Sequence, residues 1–174
     1  RVSIANTGSQ ARDIELTSYA EIALAPQAAD AAHQAFSKMF VQTEYLASAG
    51  AILATRRRRS PGEAELWVAH LAVVEGEAMG EVEIETDRAR FLGRGNDIGA
   101  PVAVIDGRRL SNTVGPVLDP VFALRRRLWI PAGGTAKIAF WTMASSSRET
   151  LLDAIDKHRD TNAFERAATL AWTQ

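Results

Sequence analysis

Alternating apolar and polar residues run through residues 1–145 and predict a series of short β-strands. Strands around Ile4 and Leu16 are separated by an Asn-Thr-Gly-Ser turn, which predicts a β-hairpin. Further strands are predicted over residues 39–47, 51–59, 66–74, 80–87, 121–130 and 134–144, and the last two are expected to pair. Short strands at a spacing of about 8–12 residues are typical of an antiparallel β-sandwich.

The strand over residues 80–87 is expected to have one face in solvent. Alternation places its apolar residues on one side, and the side expected to be exposed carries Glu81, Glu83 and Glu85. The core is the default location for the tryptophans that fall in strands, Trp67, Trp129 and Trp141. Residues 27–39 are rich in alanine, and we expect a loop with a short helix there.

After residue 145 the spacing of apolar residues changes to that of an α-helix. Ser146 and Glu149 have the spacing of a capping box, which predicts a helix start. A second helix is predicted from Asn162, with its apolar face formed by Phe164, Ala167, Ala168, Ala171 and Trp172. We therefore divide the chain into a β-sandwich, residues 1–145, and a helical linker, residues 146–174. The missing initial methionine and the uncapped last helix lead us to expect a piece of a larger protein.

Composition excludes several classes of function. The chain has 174 residues and a net charge of −1, so neither nucleic acid nor an anionic membrane is an expected partner. It has no cysteine and no apolar run of about 18 residues, which excludes thiol chemistry and indicates no membrane insertion. The histidines His33, His70 and His158 lack the spacing of metal ligands, and we expect neither a metal nor a cofactor. His70, inside an apolar strand, is expected to be a hydrogen-bonded core residue.

Arginine is the most informative residue type in this chain. Of 20 basic residues three are lysines, which leaves 17 arginines. The stretch "ETDRARFLGRGND", residues 85–97, holds three of them, and its candidate functional residues are Arg88, Phe91, Arg94, Asn96 and Asp97. Arg88 and Arg94 either bind sugar hydroxyl groups or form ion pairs with acids such as Asp87 and Asp97. Phosphate binding is disfavoured because the glycines lack the strand and helix of an anion-binding loop.

Hydrophobic Phe91 and Leu92 are expected to be buried and to fix this stretch. Elsewhere, Arg125 and Arg127 alternate along a strand and share one face, which indicates either an exposed edge or a row of acidic cross-strand partners. The arginines at positions 56–59 are expected to be solvated. Paired catalytic acids cannot be identified from spacing alone.

Several longer segments resemble the sandwich domain of cyclic β-1,2-glucan synthases. They are "NTGSQARDIELTSYAEIALAPQAADAAHQAFSKMFVQTEY", "ILATRRRRSPGE", "ETDRARFLGRG" and "GPVLDPVFALRRRLWI". The wider group is family 94 of glycoside phosphorylases, formerly glycosyltransferase family 36. The resemblance implies an antiparallel super-sandwich of the galactose-mutarotase-like type, then linker helices and a catalytic (α/α)6 barrel.

The resemblance also sets expectations for function. The barrel, which holds the catalytic aspartate and the phosphate site, is not in this chain, so no catalytic residue is assigned and the chain is expected to be inactive alone. Expected partners are β-1,2-glucan, the helical barrel of the same protein and a second copy in a homodimer. The expected location is the cytoplasmic face of the bacterial inner membrane, as part of a membrane-anchored protein. The chain is expected either to contact glucan or to serve structure and oligomerisation alone.

Overall fold

The computed structural model describes residues 1–161 together with residues 166 and 169. The strands are β1 (Val2–Ala5), β2 (Arg12–Glu21), β3 (Val41–Leu46), β4 (Ala51–Arg56), β5 (Trp67–Glu75), β6 (Glu77–Asp87), β7 (Gly115–Pro116), β8 (Pro120–Ile130) and β9 (Thr135–Ser145). The helices are α1 (Gln27–Ala32), α2 (Gln34–Lys38), α3 (Arg88–Leu92), α4 (Val102–Ile105) and α5 (Arg148–His158). The second C-terminal helix expected from the sequence, with Phe164, Ala167, Ala168, Ala171 and Trp172, lies outside the described residues.

Two antiparallel sheets pack face to face. The large sheet has the strand order β1-β9-β5-β4-β3-β7, and the small sheet has the order β2-β8-β6. The predicted fold class, an antiparallel β-sandwich followed by a C-terminal helix, is confirmed. The division of the chain at residue 145 stays a prediction, although β9 does end there.

The main core lies between the sheets and is built from alternating strand residues. Ile52 and Val68 of the large sheet pack with Ile84, Phe122 and Leu124 of the small sheet. Burying each such side chain contributes about 1.5–3 kcal/mol. Because alternate residues of these strands are buried in this core, the alternation of apolar and polar residues in the sequence predicted where the strands lie.

His70 lies in the same core, as a hydrogen-bonded residue, in agreement with the sequence-based expectation. Its ring is 4 % exposed and is hydrogen-bonded between Ser18 Oγ, at 2.7 Å from Nε2, and Thr142 Oγ1, at 2.9 Å from Nδ1. Phe122 and Phe140 stack on its two sides. Burial lowers the pKa of His70 to about 4, because the charged imidazolium would lose its solvation.

Helix α5 covers the other face of the large sheet, where Leu151 and Ile155 are buried. Its N-cap is Ser147, whose hydroxyl accepts a hydrogen bond from the Thr150 backbone N–H at 3.2 Å. The capping box predicted at Ser146 is therefore wrong by one residue, and Glu149 falls in the first turn. The extended backbone of Ser147 places its hydroxyl over the exposed N–H groups of that turn.

Neither predicted hairpin forms. β1 pairs with β9 in the large sheet, whereas β2 pairs with β8 in the small sheet, so the β1–β2 and β8–β9 connections both cross between sheets. Asn6 joins the two crossings: its buried side-chain amide donates to the carbonyls of Ile130 and Pro131, both at 3.0 Å. The turn chemistry was identified correctly, but these long-range bonds direct the chain to the opposite sheet.

The outer face of the small sheet carries the features relevant to function. Near the Asp87 end of β6, this face is covered by α3 and α4, whose Phe91, Leu92 and Ala103 pack on Ala123 of β8. Beyond this cover the face is polar and holds Arg125, Arg127 and Trp129. Trp129 is 37 % exposed, so the expectation that it fills the core is wrong. Trp67 and Trp141 are half-buried beside α5.

Candidate functional site

The stretch over residues 85–97 folds as the end of β6 followed by a helical turn. Asp87 caps α3, because its carboxylate accepts a hydrogen bond from the Ala89 backbone N–H at 2.9 Å. Gly93 ends α3 with a φ of 84°, and a Cβ built on it would lie 2.8 Å from Val102 Cγ1. Glycine is therefore required for both the backbone conformation and the close packing of α4.

Phe91 and Leu92 are each 2 % exposed, as expected for the residues that hold this stretch in place. The Phe91 ring stacks on Tyr19 of β2, with ring centroids 4.8 Å apart. Ala103 and Leu110 belong to the same cluster, so α3, α4 and the segment after α4 share one small core. The contribution of this core to stability stays a prediction.

Arg88 joins an ion-pair network with Glu21 of β2 and with Asp119, which precedes β8. Its Nε lies 2.8 Å from Glu21 Oε1 and 3.6 Å from Asp119 Oδ2. The hydrogen bond from Arg88 lowers the pKa of Glu21, whereas burial, with a hydrogen bond to Glu21, raises the pKa of Tyr19 to about 12. Arg88 therefore forms an ion pair between α3 and β2, and its role as a brace or a glycan contact stays a prediction.

The acids expected to pair with Arg88 and Arg94 have other partners. Asp87 caps α3, and Asp97 accepts a hydrogen bond from the Gly99 backbone N–H at 2.8 Å. The expectation that Asp87 and Asp97 pair with these two arginines is therefore wrong. Short acids at these positions stabilise local turns, since their side chains reach their own backbone more easily than a distant guanidinium.

A pocket of about 430 Å³ lies beside α3 on the outer face of the protein. We call it the arginine pocket; its lining residues include Glu85, Arg90, Arg94, Asn96, Arg108, Arg109 and Ser111. Arg94 and Asn96, two of the candidates from the sequence, line it, whereas Arg88, Phe91 and Asp97 do not. Within the described part of the chain, the side chains of Arg94 and Asn96 have no hydrogen-bond or ion-pair partner.

Glu85 lies at the base of the arginine pocket and is 2 % exposed. Its Oε1 accepts hydrogen bonds from the backbone N–H groups of Thr86 and Asp87, each at 3.0 Å, and its Oε2 accepts one from the Ser111 hydroxyl. The expectation that Glu85 faces solvent is therefore wrong. These three donors offset the desolvation of the carboxylate.

The lining of the arginine pocket carries four arginines and one carboxylate, that of Glu85. Three of its four arginines have a carboxylate within 4 Å: Arg90 pairs with Asp87 at 3.7 Å, Arg108 with Asp106 at 2.8 Å and Arg109 with Glu83 at 3.7 Å. The fourth arginine, Arg94, shares the pocket with the buried carboxylate of Glu85. These three partner carboxylates are not themselves part of the lining. The lining therefore offers mainly N–H donors, which suit a ligand with many oxygen acceptors.

The described residues contain no group of three or more histidines, aspartates or glutamates that could hold a metal ion. They also contain no helix with the length and apolar character needed to cross a membrane.

Comparison with known families identifies the fold. Residues 1–161 match the supersandwich domain of glycosyl hydrolase 94. The chain belongs to this domain family. The match extends through α5, so the family includes the helix that covers the large sheet.

A relative agrees with this assignment. All 174 residues align, at 42 % identity, with the cyclic beta-(1,2)-glucan synthase NdvB of Rhizobium meliloti (strain 1021). The chain spans 6 % of the length of that protein. The resemblance found in the sequence is thereby confirmed. This match does not assign the activity of the larger protein to the chain.

Sequence reasoning missed half of the arginine pocket in this supersandwich domain. Arg108, Arg109 and Ser111 lie in a turn-rich segment that was not singled out, and folding brings them opposite α3. The adjacent arginines between Gly107 and Leu110 could have been singled out from the sequence. Their position opposite α3 could not have been predicted, because it depends on how α4 packs on α3.

Proposed function

We propose that this supersandwich domain is the sandwich module of a cyclic β-1,2-glucan synthase and contacts glucan in the arginine pocket. The supporting observation is that Arg94 and Asn96, with no partner among the described residues, line a pocket of about 430 Å³. This volume lies within the range of about 300–1,000 Å³ that is common for small-ligand sites. The relative NdvB, named a cyclic beta-(1,2)-glucan synthase, supplies the substrate class.

The chemistry of the lining suits a sugar. A guanidinium group offers five N–H donors, and the Asn96 amide offers both donors and an acceptor, so together they complement hydroxyl groups that donate and accept. Among the described residues, the lining includes no aromatic side chain, so binding here depends on hydrogen bonds that compete with water. We therefore expect a short oligosaccharide to bind with a dissociation constant of about 1 mM.

The proposal extends to the wider role that the family resemblance implies. In this proposal the domain supports an adjoining phosphorylase-like barrel that adjusts the length of the glucan, and the catalytic residues lie in that barrel. The larger protein is anchored in the bacterial inner membrane, with this domain on the cytoplasmic face. The domain itself catalyses no reaction, and its contribution is to bind and position glucan.

An NMR titration of the ¹⁵N-labelled chain with linear β-1,2-gluco-oligosaccharides tests the glucan contact, with cellobiose as the control sugar. We expect saturable shifts at Arg94, Asn96 and Ser111. The variant Arg94→Ala should lose them, while Arg88→Ala, outside the pocket, should keep them. A wild-type spectrum that does not change with oligosaccharide, or equal effects of both substitutions, would refute the proposed site.

One observation favours a second candidate function, assembly without glycan binding. Ile98, Val104 and Ile105, on the segment next to the arginine pocket, are all exposed apolar side chains. In an assembly module they would contact a second copy of the chain or the barrel domain. Sedimentation equilibrium distinguishes the two: a dimer that Ile105→Asp dissociates, without any oligosaccharide shift, would support assembly.

A further inference from the structure

A second pocket, of about 390 Å³, continues the arginine pocket across the outer face of the small sheet. Arg109 and Leu110 line both pockets, so the two are adjacent. The second pocket exists because β6 bulges: between Met79 and Glu83 it advances four residues while β8 advances two. Gly80, with a φ of 64°, allows this bulge to leave the sheet.

The lining of the second pocket is balanced in charge. It contains three glutamates and three arginines: Glu15, Glu81, Glu83, Arg109, Arg125 and Arg127. The pocket therefore lacks the excess of positive charge that a nucleic acid or another polyanion would need. Its carboxylate and guanidinium groups are planar hydrogen-bonding groups that match neutral hydroxyls.

Arg125 makes the pocket rigid. It is 4 % exposed, and its guanidinium donates to the carbonyls of Ala103 and Arg108, at 2.6 and 2.9 Å. It also lies 3.5 Å from Glu83. One buried side chain therefore holds β8, the bulge of β6 and the wall that the two pockets share in a fixed arrangement.

Trp129 lies on the same face of β8, two residues beyond Arg127. Its cross-strand neighbours are Asp13 of β2 and Glu77 of β6, and Arg127 Nε lies 3.3 Å from Asp13 Oδ1. An exposed indole among planar polar groups combines a flat apolar surface, on which the C–H face of a pyranose can stack, with groups that bind the ring hydroxyls.

We propose that the two pockets and Trp129 form one continuous groove for a linear neutral glycan, with Trp129 stacking on a sugar ring at the far end. The proposal rests on the proposed function and extends it, since it requires a ligand of several sugar units. It gives the domain a preference for longer chains, because Trp129 lies outside the lining of both pockets and only a longer chain would reach it from the arginine pocket.

Isothermal titration calorimetry with linear β-1,2-gluco-oligosaccharides, from the disaccharide upward, tests the groove. Wild-type affinity should rise with chain length. Trp129→Ala should weaken binding of the longer oligomers by about threefold to tenfold, the usual value of one aromatic contact, and leave the disaccharide unaffected. Trp129→Phe, which keeps a flat ring, should retain most of the affinity.

The outcomes separate this inference from the proposed function. If Arg94→Ala weakens binding but Trp129→Ala changes the affinity for no oligomer, the arginine pocket stands and the groove is refuted. If no oligomer binds, both are refuted. If Trp129→Ala changes only the oligomeric state seen in sedimentation, Trp129 contacts protein and the groove is again refuted.

Discussion

Removing the Phe91 side chain tests whether the small core under α3 holds the arginine pocket together. Phe91→Ala deletes a ring that is 2 % exposed and stacks on Tyr19 at 4.8 Å. Substitutions of this kind cost about 3–5 kcal/mol. Because this cluster lies near the surface, where neighbouring atoms can relax, we expect about 3 kcal/mol. For a domain of this size that lowers the melting temperature by roughly 6–12 °C.

Thermal unfolding followed by circular dichroism measures this loss. Phe36→Ala is the matched control, because Phe36 is 47 % exposed and its replacement should cost about 1 kcal/mol or less. In the NMR titration Phe91→Ala should also weaken oligosaccharide binding, since α3 carries Arg90 and leads into Arg94. A melting temperature lowered no more than in Phe36→Ala would refute the reasoning.

Two further substitutions test buried polar groups. Arg125→Lys should cost about 3–5 kcal/mol in urea denaturation, because an ammonium cannot replace the bonds to Thr17 and two backbone carbonyls; an equal loss in the more exposed Arg127→Lys would contradict this. His70 has a pKa of about 4 when folded, so below pH about 6.5 the unfolded chain takes up the proton first. The free energy of unfolding should therefore decrease as the pH is lowered from about 6.5 to about 4, with a loss of about 2 kcal/mol at pH 5. If His70→Gln shows an equally steep pH dependence, the loss does not come from His70.

Strand positions could be predicted from the sequence because one face of nearly every strand is buried. The predicted strand over residues 66–74, for example, corresponds to β5, Trp67–Glu75. Strand partners could not be predicted. An Asn-Thr-Gly-Ser turn looks the same whether the chain folds back on itself or crosses to the other sheet, and the bonds from Asn6 to Ile130 and Pro131 that decide it span more than a hundred residues.

The candidate site could also be predicted only in part, because long-range contacts are not visible in the local sequence. The composition of residues 85–97 identified Arg94 and Asn96, and the apolar pair Phe91 and Leu92 was expected to be buried. The burial of Glu85 was not predictable from alternation, because it requires the Ser111 hydroxyl from a separate segment. Local patterns therefore give the residue types at the site, whereas contacts between distant segments decide which of them are available to a ligand.

Under the proposed function, the positions of the two outer faces limit how glucan can reach this domain. α5, after which residues 159–174 continue the chain, lies on the outer face of the large sheet. The arginine pocket and Trp129 lie on the outer face of the small sheet, on the opposite side of the sandwich. Under the proposed function, a barrel packed beside α5 would leave the groove open. Glucan bound there would then pass either to solvent or to the barrel of a neighbouring copy, and a homodimer would have to present the groove of one subunit to the barrel of the other.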